Sequence, residues 1–181
     1  MCGFVGQLSF NNSSLNNETL EQLNHRGPDD TNYYLHKEKN YIIHFGHKRL
    51  NILDIEFGKQ PMLSNNQDIV IIFNGEIYNF DELRSKLISL GFTFKSKNSD
   101  TEVILNAYLK WGTNLTNYLN GMWAFTIYDK KNNIIFLSRD RFGEKPLYYA
   151  KINNKFIFAS ELKALKKFND FNKTLNYNSI Q

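Results

Sequence analysis

The stretch Ile69-Val70-Ile71-Ile72-Phe73 is an unbroken apolar run near the middle of the chain. Because successive side chains of a strand point to opposite faces, such a run predicts a strand that is covered on both faces. Shorter segments rich in β-branched and aromatic residues predict further strands on either side of it. These strands are expected at 4–10, 31–36, 41–45, 123–128, 134–138, 147–151 and 156–159.

Two helices are predicted between the early and the late strands. Phe80 to Leu90 carries apolar residues at helical spacing behind Asn79, a candidate cap. Ser99-Asp100-Thr101-Glu102 matches a capping box and begins a helix that should end at Gly112. Shorter helices are expected at 17–23 and from Ser160. Strands, two central helices and a final meander without crossover helices predict an α+β fold of antiparallel sheets covered by helices.

Composition limits the class of protein. A chain of 181 residues with 41% hydrophobic residues is long enough for one domain with a substantial core. The net charge of +4 comes from scattered lysines, so we expect no nucleic-acid partner. A single cysteine excludes an intrachain disulfide and a Cys-rich zinc site. We find no signal-peptide pattern and no apolar stretch of membrane-spanning length, which predicts a cytoplasmic protein without a membrane partner.

Cys2 directly follows the initiator methionine and is the strongest candidate nucleophile. Removal of Met1 would leave one residue with a thiol, of pKa about 8.5, and a free α-amine, of pKa about 7.7–8.0. The amine can then take the thiol's proton, so nucleophile and base belong to the same residue. The alternative is a structural thiol buried at the start of a strand.

A cysteine that attacks an amide needs donors for the developing oxyanion, and Asn74-Gly75 follows the apolar run. An Asn side-chain amide and a Gly backbone N–H are suitable donors. The alternative is a tight hairpin turn, because Asn-Gly is also a strong hairpin signal.

Three charged residues are candidates for substrate binding, each with a simpler alternative. Arg49 could bind a carboxylate bidentately, or lie on the surface. Asp100 could pair with an ammonium group, or cap a helix. Glu76 could also pair with an ammonium group, or be a solvated loop charge. His25, His44 and His47 lack the spacing of a metal site, so no metal is expected.

Seven motifs in register along nearly the whole chain resemble one family. The motifs are Met1-Cys2-Gly3-Phe4-Val5-Gly6, His25-Arg26-Gly27-Pro28-Asp29, Arg49-Leu50-Asn51-Ile52-Leu53-Asp54, Gln60-Pro61-Met62, Phe73-Asn74-Gly75-Glu76-Ile77-Tyr78-Asn79, Ser99-Asp100-Thr101-Glu102 and Arg139-Asp140-Arg141-Phe142-Gly143-Glu144-Lys145-Pro146-Leu147-Tyr148-Tyr149. Together they resemble the glutaminase domain of glutamine-hydrolysing asparagine synthetases, a class II glutamine amidotransferase.

The resemblance implies a four-layer αββα sandwich, the N-terminal-nucleophile hydrolase fold, with a pocket for L-glutamine. It implies thioester formation with release of ammonia, followed by hydrolysis to glutamate. The implied roles are Cys2 as nucleophile with its own amine as base, Asn74 and Gly75 as the oxyanion hole, Arg49 for the α-carboxylate, Glu76 and Asp100 for the α-amine, and backbone contacts from Leu50 and Ile52.

The resemblance also implies a partner. Members of the family continue into a C-terminal synthetase domain, acting in cis or in trans, that uses ATP and Mg²⁺ to make asparagine from aspartate. No cofactor is expected for the present domain, predicted at 1–168, with 169–181 as a linker or the start of the synthetase domain. Two alternative functions stay open: an asparagine-synthetase-like enzyme with another acceptor, and a non-catalytic regulatory domain. Assembly as a homodimer also stays open.

Overall fold

The computed structural model describes residues 1–10, 13–51, 54 and 57–174. Within them the strands form two antiparallel sheets, which we call the first sheet (β2-β3-β1-β9-β8) and the second sheet (β4-β5-β6-β7). The strands are β1 Gly3–Ser9, β2 Asp30–Lys37, β3 Ile42–Arg49, β4 Met62–Leu63, β5 Ile69–Ile77, β6 Gly121–Asp129, β7 Ile134–Arg139, β8 Tyr148–Ile152 and β9 Lys155–Ala159. The helices are α1 Asn17–Glu21, α2 Phe80–Ser89, α3 Asp100–Trp111 and α4 Leu162–Leu165, with a 3₁₀ segment at Gly112–Asn117.

The apolar run forms the first half of β5 and is buried on both faces, as predicted. Ile69, Ile71 and Phe73 pack with the apolar sides of α2 and α3. Val70 and Ile72 point the other way and pack against the first sheet. The side chains of one strand therefore pack alternately against the two layers that flank the second sheet, the helices on one face and the first sheet on the other.

A third apolar cluster covers the outer face of the first sheet. There Val5 of β1 and Ile157 of β9 pack against Leu20 of α1 and Leu165 of α4. The layers are thus helices, first sheet, second sheet and helices. This confirms the predicted α+β fold of antiparallel sheets and its four-layer αββα arrangement.

β5 does not end at the apolar run but continues through Asn74-Gly75 to Ile77. Asn74 pairs with Ala124 of β6, and Gly75 pairs with Trp123. The hairpin-turn alternative for Asn74-Gly75 is therefore wrong. Gly75 is needed for close approach, since a Cβ there would overlap the Met122 carbonyl oxygen.

The predicted capping box is half formed. The Ser99 hydroxyl accepts a hydrogen bond from the Glu102 N–H at 3.2 Å, as expected for a cap. The Glu102 carboxylate, however, accepts from the N–H groups of Lys95 and Ser96, at 2.8 and 2.9 Å. Its carboxylate therefore fixes the segment that precedes α3 instead of closing the box.

Tertiary contacts take two other side chains near helix starts: Asn79 is at the cap position of α2, as predicted, but forms no side-chain cap, and the predicted helix start at Ser160 is wrong. The Asn79 side chain makes no capping bond to α2; it donates to the Tyr118 carbonyl at 3.0 Å and accepts from the Asn120 N–H at 2.9 Å. Ser160 does not begin α4, whose cap residue is Glu161. The Ser160 hydroxyl accepts the Phe4 N–H at 3.0 Å and extends the β1–β9 pairing by a side chain.

Candidate active site

The candidate site is a cleft of about 200 Å³ at one end of the two sheets. A liquid water occupies about 30 Å³, so the cleft has room for a small polar molecule. It brings together nearly all of the residues that the sequence singled out. These are Cys2, Arg49, Leu50, Asn74, Gly75, Glu76 and Asp100. Ile52 lies outside the described residues, so its assignment stays a prediction.

Strand register places Cys2 beside Arg49. β1 and β3 are antiparallel with Gly3 opposite Lys48, so the pairing continued by one residue puts Cys2 opposite Arg49. Phe4 and Phe45 point into the layer between the sheets. Because side chains alternate along a strand, Cys2 and Arg49 point into the same layer. Arg49 is only 4% exposed, so the surface-arginine alternative is wrong.

The Cys2 thiol is half-buried and faces the Leu50 carbonyl, with 3.8 Å from Sγ to the oxygen. Burial raises the pKa of the Cys2 thiol, and the Leu50 contact, the N-terminal charge and Arg49 only partly oppose that effect. The thiol is therefore neutral at pH 7 and needs a base to become a nucleophile.

Arg26 binds the backbone of Cys2, the candidate nucleophile, which the sequence did not predict. Its Nε donates to the Cys2 carbonyl at 2.9 Å, and its Nη1 donates to the Glu161 carboxylate at 2.9 Å. The motif His25-Arg26-Gly27-Pro28-Asp29 marked this segment in the sequence, but nothing in its spacing indicated that Arg26 would bind Cys2 and Glu161. In the fold, Asp29 also accepts the Asn51 N–H at 2.8 Å, next to Leu50.

The Asn74 amide is a donor without a partner. The side chain is 2% exposed, and its Nδ2 meets no hydrogen-bond acceptor within the described part of the chain. An unsatisfied buried donor costs about 1–3 kcal/mol. Asn74 is two residues from Ile72 and four from Val70, so its side chain lies on the same face of β5 as theirs. This face is between the sheets, on the side of Cys2.

The two residues on either side of Gly75 with the same strand alternation, Phe73 and Ile77, show where the Gly75 N–H points. The Phe73 N–H donates to the Gln60 side chain at 2.6 Å, and the Ile77 N–H donates to Asp100 at 3.3 Å. Alternate N–H groups of a strand share a direction, so the Gly75 N–H points the same way, away from β6. Gln60 and Asp100 both line the cleft. The Gly75 N–H therefore faces the cleft as a second donor.

The Arg49 guanidinium is held by the segment that follows it. Nη2 donates to the Asp54 carbonyl at 2.6 Å. Gly58 packs against the same guanidinium so closely that a Cβ there would overlap Nη2. The positive charge of Arg49 is thus fixed at the cleft wall, where a substrate carboxylate could bind.

Asp100 is buried at the first position of α3. Burial raises its pKa to about 6, with the nearby Glu76 charge adding to the rise and the Ile77 and Thr101 N–H groups opposing it. Ser99 is the cap, so the capping alternative for Asp100 is wrong. Asp100 and the exposed Glu76 form an acidic wall that suits an ammonium group.

Lys145 also lines the cleft and was not predicted. It is 7% exposed, and its Nζ lies 3.4 Å from the Met1 Sδ. Asp140 fixes the loop that carries it, accepting the N–H groups of Phe142, Glu144 and Lys145 at 2.9–3.1 Å. Burial alone would raise the pKa of Asp140, but these bonds hold it below its ordinary value.

The described residues contain neither a metal-binding cluster nor a membrane-spanning helix. No three His, Cys, Asp or Glu side chains there are grouped closely enough to hold a metal ion. In the same residues, no helix combines the length and the apolar composition needed to cross a membrane.

Comparison with known proteins places this cleft in a family context. Residues 1–181 match the family described as the glutamine amidotransferase domain. A putative glutamine-hydrolysing asparagine synthetase 2 of Methanocaldococcus jannaschii is 43% identical over 98% of the chain and 37% of that protein. Asparagine synthetases 3 and 1 of Bacillus subtilis are 40% and 44% identical, over 91% of the chain and 27% and 26% of their own lengths.

The chain thus spans between about a quarter and somewhat over a third of these relatives. Among solved structures, glutamine phosphoribosylpyrophosphate amidotransferase from B. subtilis superposes with a TM-score of 0.72. The match covers 91% of this chain and 43% of that one at 19% identity, and at that identity it shows the fold alone.

Proposed function

Because the chain belongs to the glutamine amidotransferase domain family, we propose that it hydrolyses L-glutamine to glutamate and ammonia, with Cys2 as the nucleophile. One observation carries the proposal. A thiol, an unpartnered amide donor and a fixed guanidinium line the same cleft as a buried carboxylate. Glutamine presents the complementary groups: a side-chain amide, an α-carboxylate and an α-ammonium.

The two ends of the cleft orient the substrate. Arg49 binds the α-carboxylate, and Asp100 with Glu76 binds the α-ammonium, while the Leu50 backbone borders the bound molecule. The side-chain amide then extends toward Cys2 and Asn74. Binding both charged α-groups at fixed positions converts the attack into an effectively intramolecular step.

The reaction proceeds in two displacements. After removal of Met1, the α-amine of Cys2 takes the thiol proton, and Sγ bonds to the amide carbon of glutamine. The oxygen becomes an oxyanion that accepts hydrogen bonds from the Asn74 Nδ2–H and the Gly75 N–H. The C–N bond breaks, the proton passes to the leaving nitrogen, and ammonia departs. Water then attacks the thioester with the same amine as base, which releases glutamate and restores the thiol.

The longer relatives suggest where the ammonia goes. Their names specify glutamine-hydrolysing asparagine synthetases, and the match covers a minor part of each. We propose that a synthetase domain, in cis or in trans, uses the ammonia to make asparagine from aspartate. ATP and Mg²⁺ would act in that domain, and the hydrolysis itself uses no cofactor. As predicted from the sequence, the glutaminase unit would be 1–168, with 169–181 leading toward that domain.

The test compares the unsubstituted protein with Cys2→Ala. Glutamate and ammonia release from glutamine is measured, and mass spectrometry of the N-terminus reports whether Met1 is removed. We expect equal amounts of both products and loss of about 10⁴-fold or more of the activity in Cys2→Ala. Retained activity in Cys2→Ala, or an inactive protein with Cys2 at its N-terminus, would contradict the proposal.

A further inference from the structure

The cleft binds the two α-groups of glutamine through distant parts of the chain, and a chain of hydrogen bonds joins these parts. Arg49 stands at the end of β3 in the first sheet. Asp100 stands at the start of α3, which packs on the second sheet. Strand pairing fixes the backbone that carries Arg49, and the Ile77 N–H of β5 binds the Asp100 carboxylate at 3.3 Å, but strand pairing does not orient the Arg49 guanidinium at the end of its long side chain.

The first link joins Arg49 to Asp54. The Asp54 carbonyl accepts the Arg49 Nη2–H at 2.6 Å and also the Gly58 N–H at 2.8 Å. Asp54 holds this position with a φ of +48°, in the left-handed region that Asp and Asn tolerate better than most residues. The Asp54 carbonyl is therefore one of the groups that orient the guanidinium.

The second link joins Asp54 to Ser96. The Ser96 hydroxyl donates to Oδ2 of the Asp54 carboxylate, and the Phe57 N–H donates to Oδ1 at 3.2 Å. Ser96 is 5% exposed, so this contact is largely shielded from water. A buried hydrogen bond to a charged group is stronger and more directional than an exposed one.

The third link joins Ser96 to the start of α3. The Ser96 hydroxyl oxygen accepts the N–H groups of Asn98 and Ser99, both at 3.0 Å. Ser99 is the cap of α3, and Asp100 is the next residue. One hydroxyl thus donates toward the Arg49 side of the cleft and accepts from the Asp100 side.

We propose that Asp54 and Ser96 are positioning residues that set the spacing between Arg49 and Asp100. The inference rests on the proposed glutamine hydrolysis. The carboxylate and the ammonium of an amino acid are attached to the same carbon. The protein groups that bind them must therefore be held at one fixed distance from each other. Loops lose conformational freedom when they bind a ligand, and a preformed link removes part of that cost. Breaking the link weakens binding of glutamine and leaves Cys2 and Asn74 unaltered.

Ser64 provides a matched control. It is 4% exposed, donates to Asn66 Oδ1 at 2.7 Å and accepts the Ile69 N–H at 3.0 Å. Like Ser96, it is a buried serine that fixes a turn before a regular element. Unlike Ser96, it makes no contact among the described residues that leads to the cleft. Ser64→Ala therefore removes a buried serine hydroxyl that donates one hydrogen bond and accepts another, without touching the proposed link.

The experiment measures kcat and KM for glutamine, together with Tm, for Ser96→Ala and Ser64→Ala. We expect Ser96→Ala to raise KM about ten-fold, the equivalent of one buried hydrogen bond, with kcat changed less than about three-fold. Ser64→Ala should lower Tm by a similar amount and leave KM unchanged. Ser96→Thr, which keeps the hydroxyl, should recover most of the binding.

Substitutions of Asp54 test the other end of the link. Asp54→Asn keeps an acceptor and tolerates the left-handed φ, so its KM should stay within about three-fold of the original value. Asp54→Ala loses both the side-chain acceptor and the tolerance of a left-handed φ. Its KM should therefore rise about as much as that of Ser96→Ala. If Ser96→Ala does not fold, this pair gives the same comparison.

A double-substitution cycle tests whether the effect passes through Arg49. Arg49→Lys loses the Nη2 contact, so adding Ser96→Ala to it should raise KM by less than about two-fold. Full additivity, or equal KM values for Ser96→Ala and Ser64→Ala, would overturn the inference and leave the glutaminase intact. An unsubstituted protein that neither binds nor hydrolyses glutamine would contradict the proposed function itself, and the inference with it.

Discussion

In the proposed reaction, the cleft has a reaction side, formed by Cys2, Asn74 and Gly75, and a recognition side, formed by Arg49, Glu76 and Asp100. On the reaction side the functional atoms lie on strand backbone or on short side chains attached to it. On the recognition side, the guanidinium of Arg49 is held by the Asp54 carbonyl and the Gly58 backbone. Sheet register therefore sets the first side. On the second side, register places the backbones of Arg49 and Glu76, and contacts with loops orient the Arg49 guanidinium.

This difference predicts different kinetic effects. A change on the reaction side alters groups that act mainly in the transition state, so kcat falls. A change on the recognition side alters contacts made equally in the bound substrate and the transition state, so KM rises. The predictions below test this division, from the largest expected effect to the smallest.

Asn74→Ala should lower kcat by about 10²–10³-fold and change KM by less than about three-fold, because one oxyanion donor is lost. Asn106→Ala is the control: Asn106 is also buried, 7% exposed, but its Nδ2 binds the Thr93 carbonyl at 3.3 Å, away from the cleft. Steady-state kinetics of both variants provides the measurement. An effect of Asn74→Ala on KM alone would place Asn74 on the recognition side.

Arg49→Ala should raise KM for glutamine by about 10–100-fold, because a charge-assisted contact to the carboxylate is lost. The kcat at saturating glutamine should change much less. Lys48→Ala is the neighbouring control, since the Lys48 Nζ points to Thr31 on the exposed side of β3 at 2.7 Å. An unchanged KM in Arg49→Ala would remove Arg49 from the binding site.

Glutamine binding should weaken about ten-fold per pH unit below about pH 6. The pKa of Asp100 is raised to about 6, so the carboxylate is charged above that pH and neutral below it. The neutral form no longer attracts the α-ammonium, whereas glutamine keeps its own charges in this range. Calorimetric titration of Cys2→Ala with glutamine between pH 5 and 7.5 measures the effect without catalysis.

The matched variant for this titration is Asp100→Asn. It should bind glutamine more weakly at pH 7 and show no inflection near pH 6. An inflection that survives in Asp100→Asn would assign the titration to another group and would weaken the case for Asp100 as an ammonium receptor.

Ile72→Val should leave both sides of the cleft intact. Ile72 is fully buried between the sheets, so removal of one methylene group should lower the free energy of unfolding by about 0.5–1.5 kcal/mol. Urea unfolding measures the change, and kinetics should show kcat and KM within about two-fold. A clear loss of activity would mean that packing between the sheets is transmitted to the donors at Asn74 and Gly75.

The strands, the helices and the α+β class followed from local patterns, whereas the four-layer arrangement was implied by the family resemblance. Five apolar residues in succession required a strand with two covered faces, and Ile69–Phe73 meets that requirement with alternating contacts to both neighbouring layers. The helices at 80–89 and 100–111 followed from apolar spacing and from Ser99 as cap. These predictions were confirmed because hydrophobic periodicity and helix capping depend on residues that are close together in the sequence.

Where a local signal misled, a contact with a distant residue explains the outcome. Asn79 lies at the cap position of α2, but its side chain binds Tyr118 and Asn120 instead of the helix. Ser160 was expected to begin the last helix, but its hydroxyl binds the Phe4 N–H. The alternative turn at Asn74-Gly75 does not form, because backbone pairing with β6 keeps the two residues extended. Local propensity is weak, and a contact with a residue far along the chain overrides it.

The sequence by itself determined the strands and helices, the candidate nucleophile at Cys2, and the types of residue that could bind an amino acid. Only the tertiary structure decided which of them meet. It placed Cys2 opposite Arg49 through strand register, left the Asn74 amide without a partner, and joined Arg49 to α3 through Asp54 and Ser96. The reason is physical: composition and period are local, whereas a site is a set of distances between residues that only the packed sheets and loops bring together.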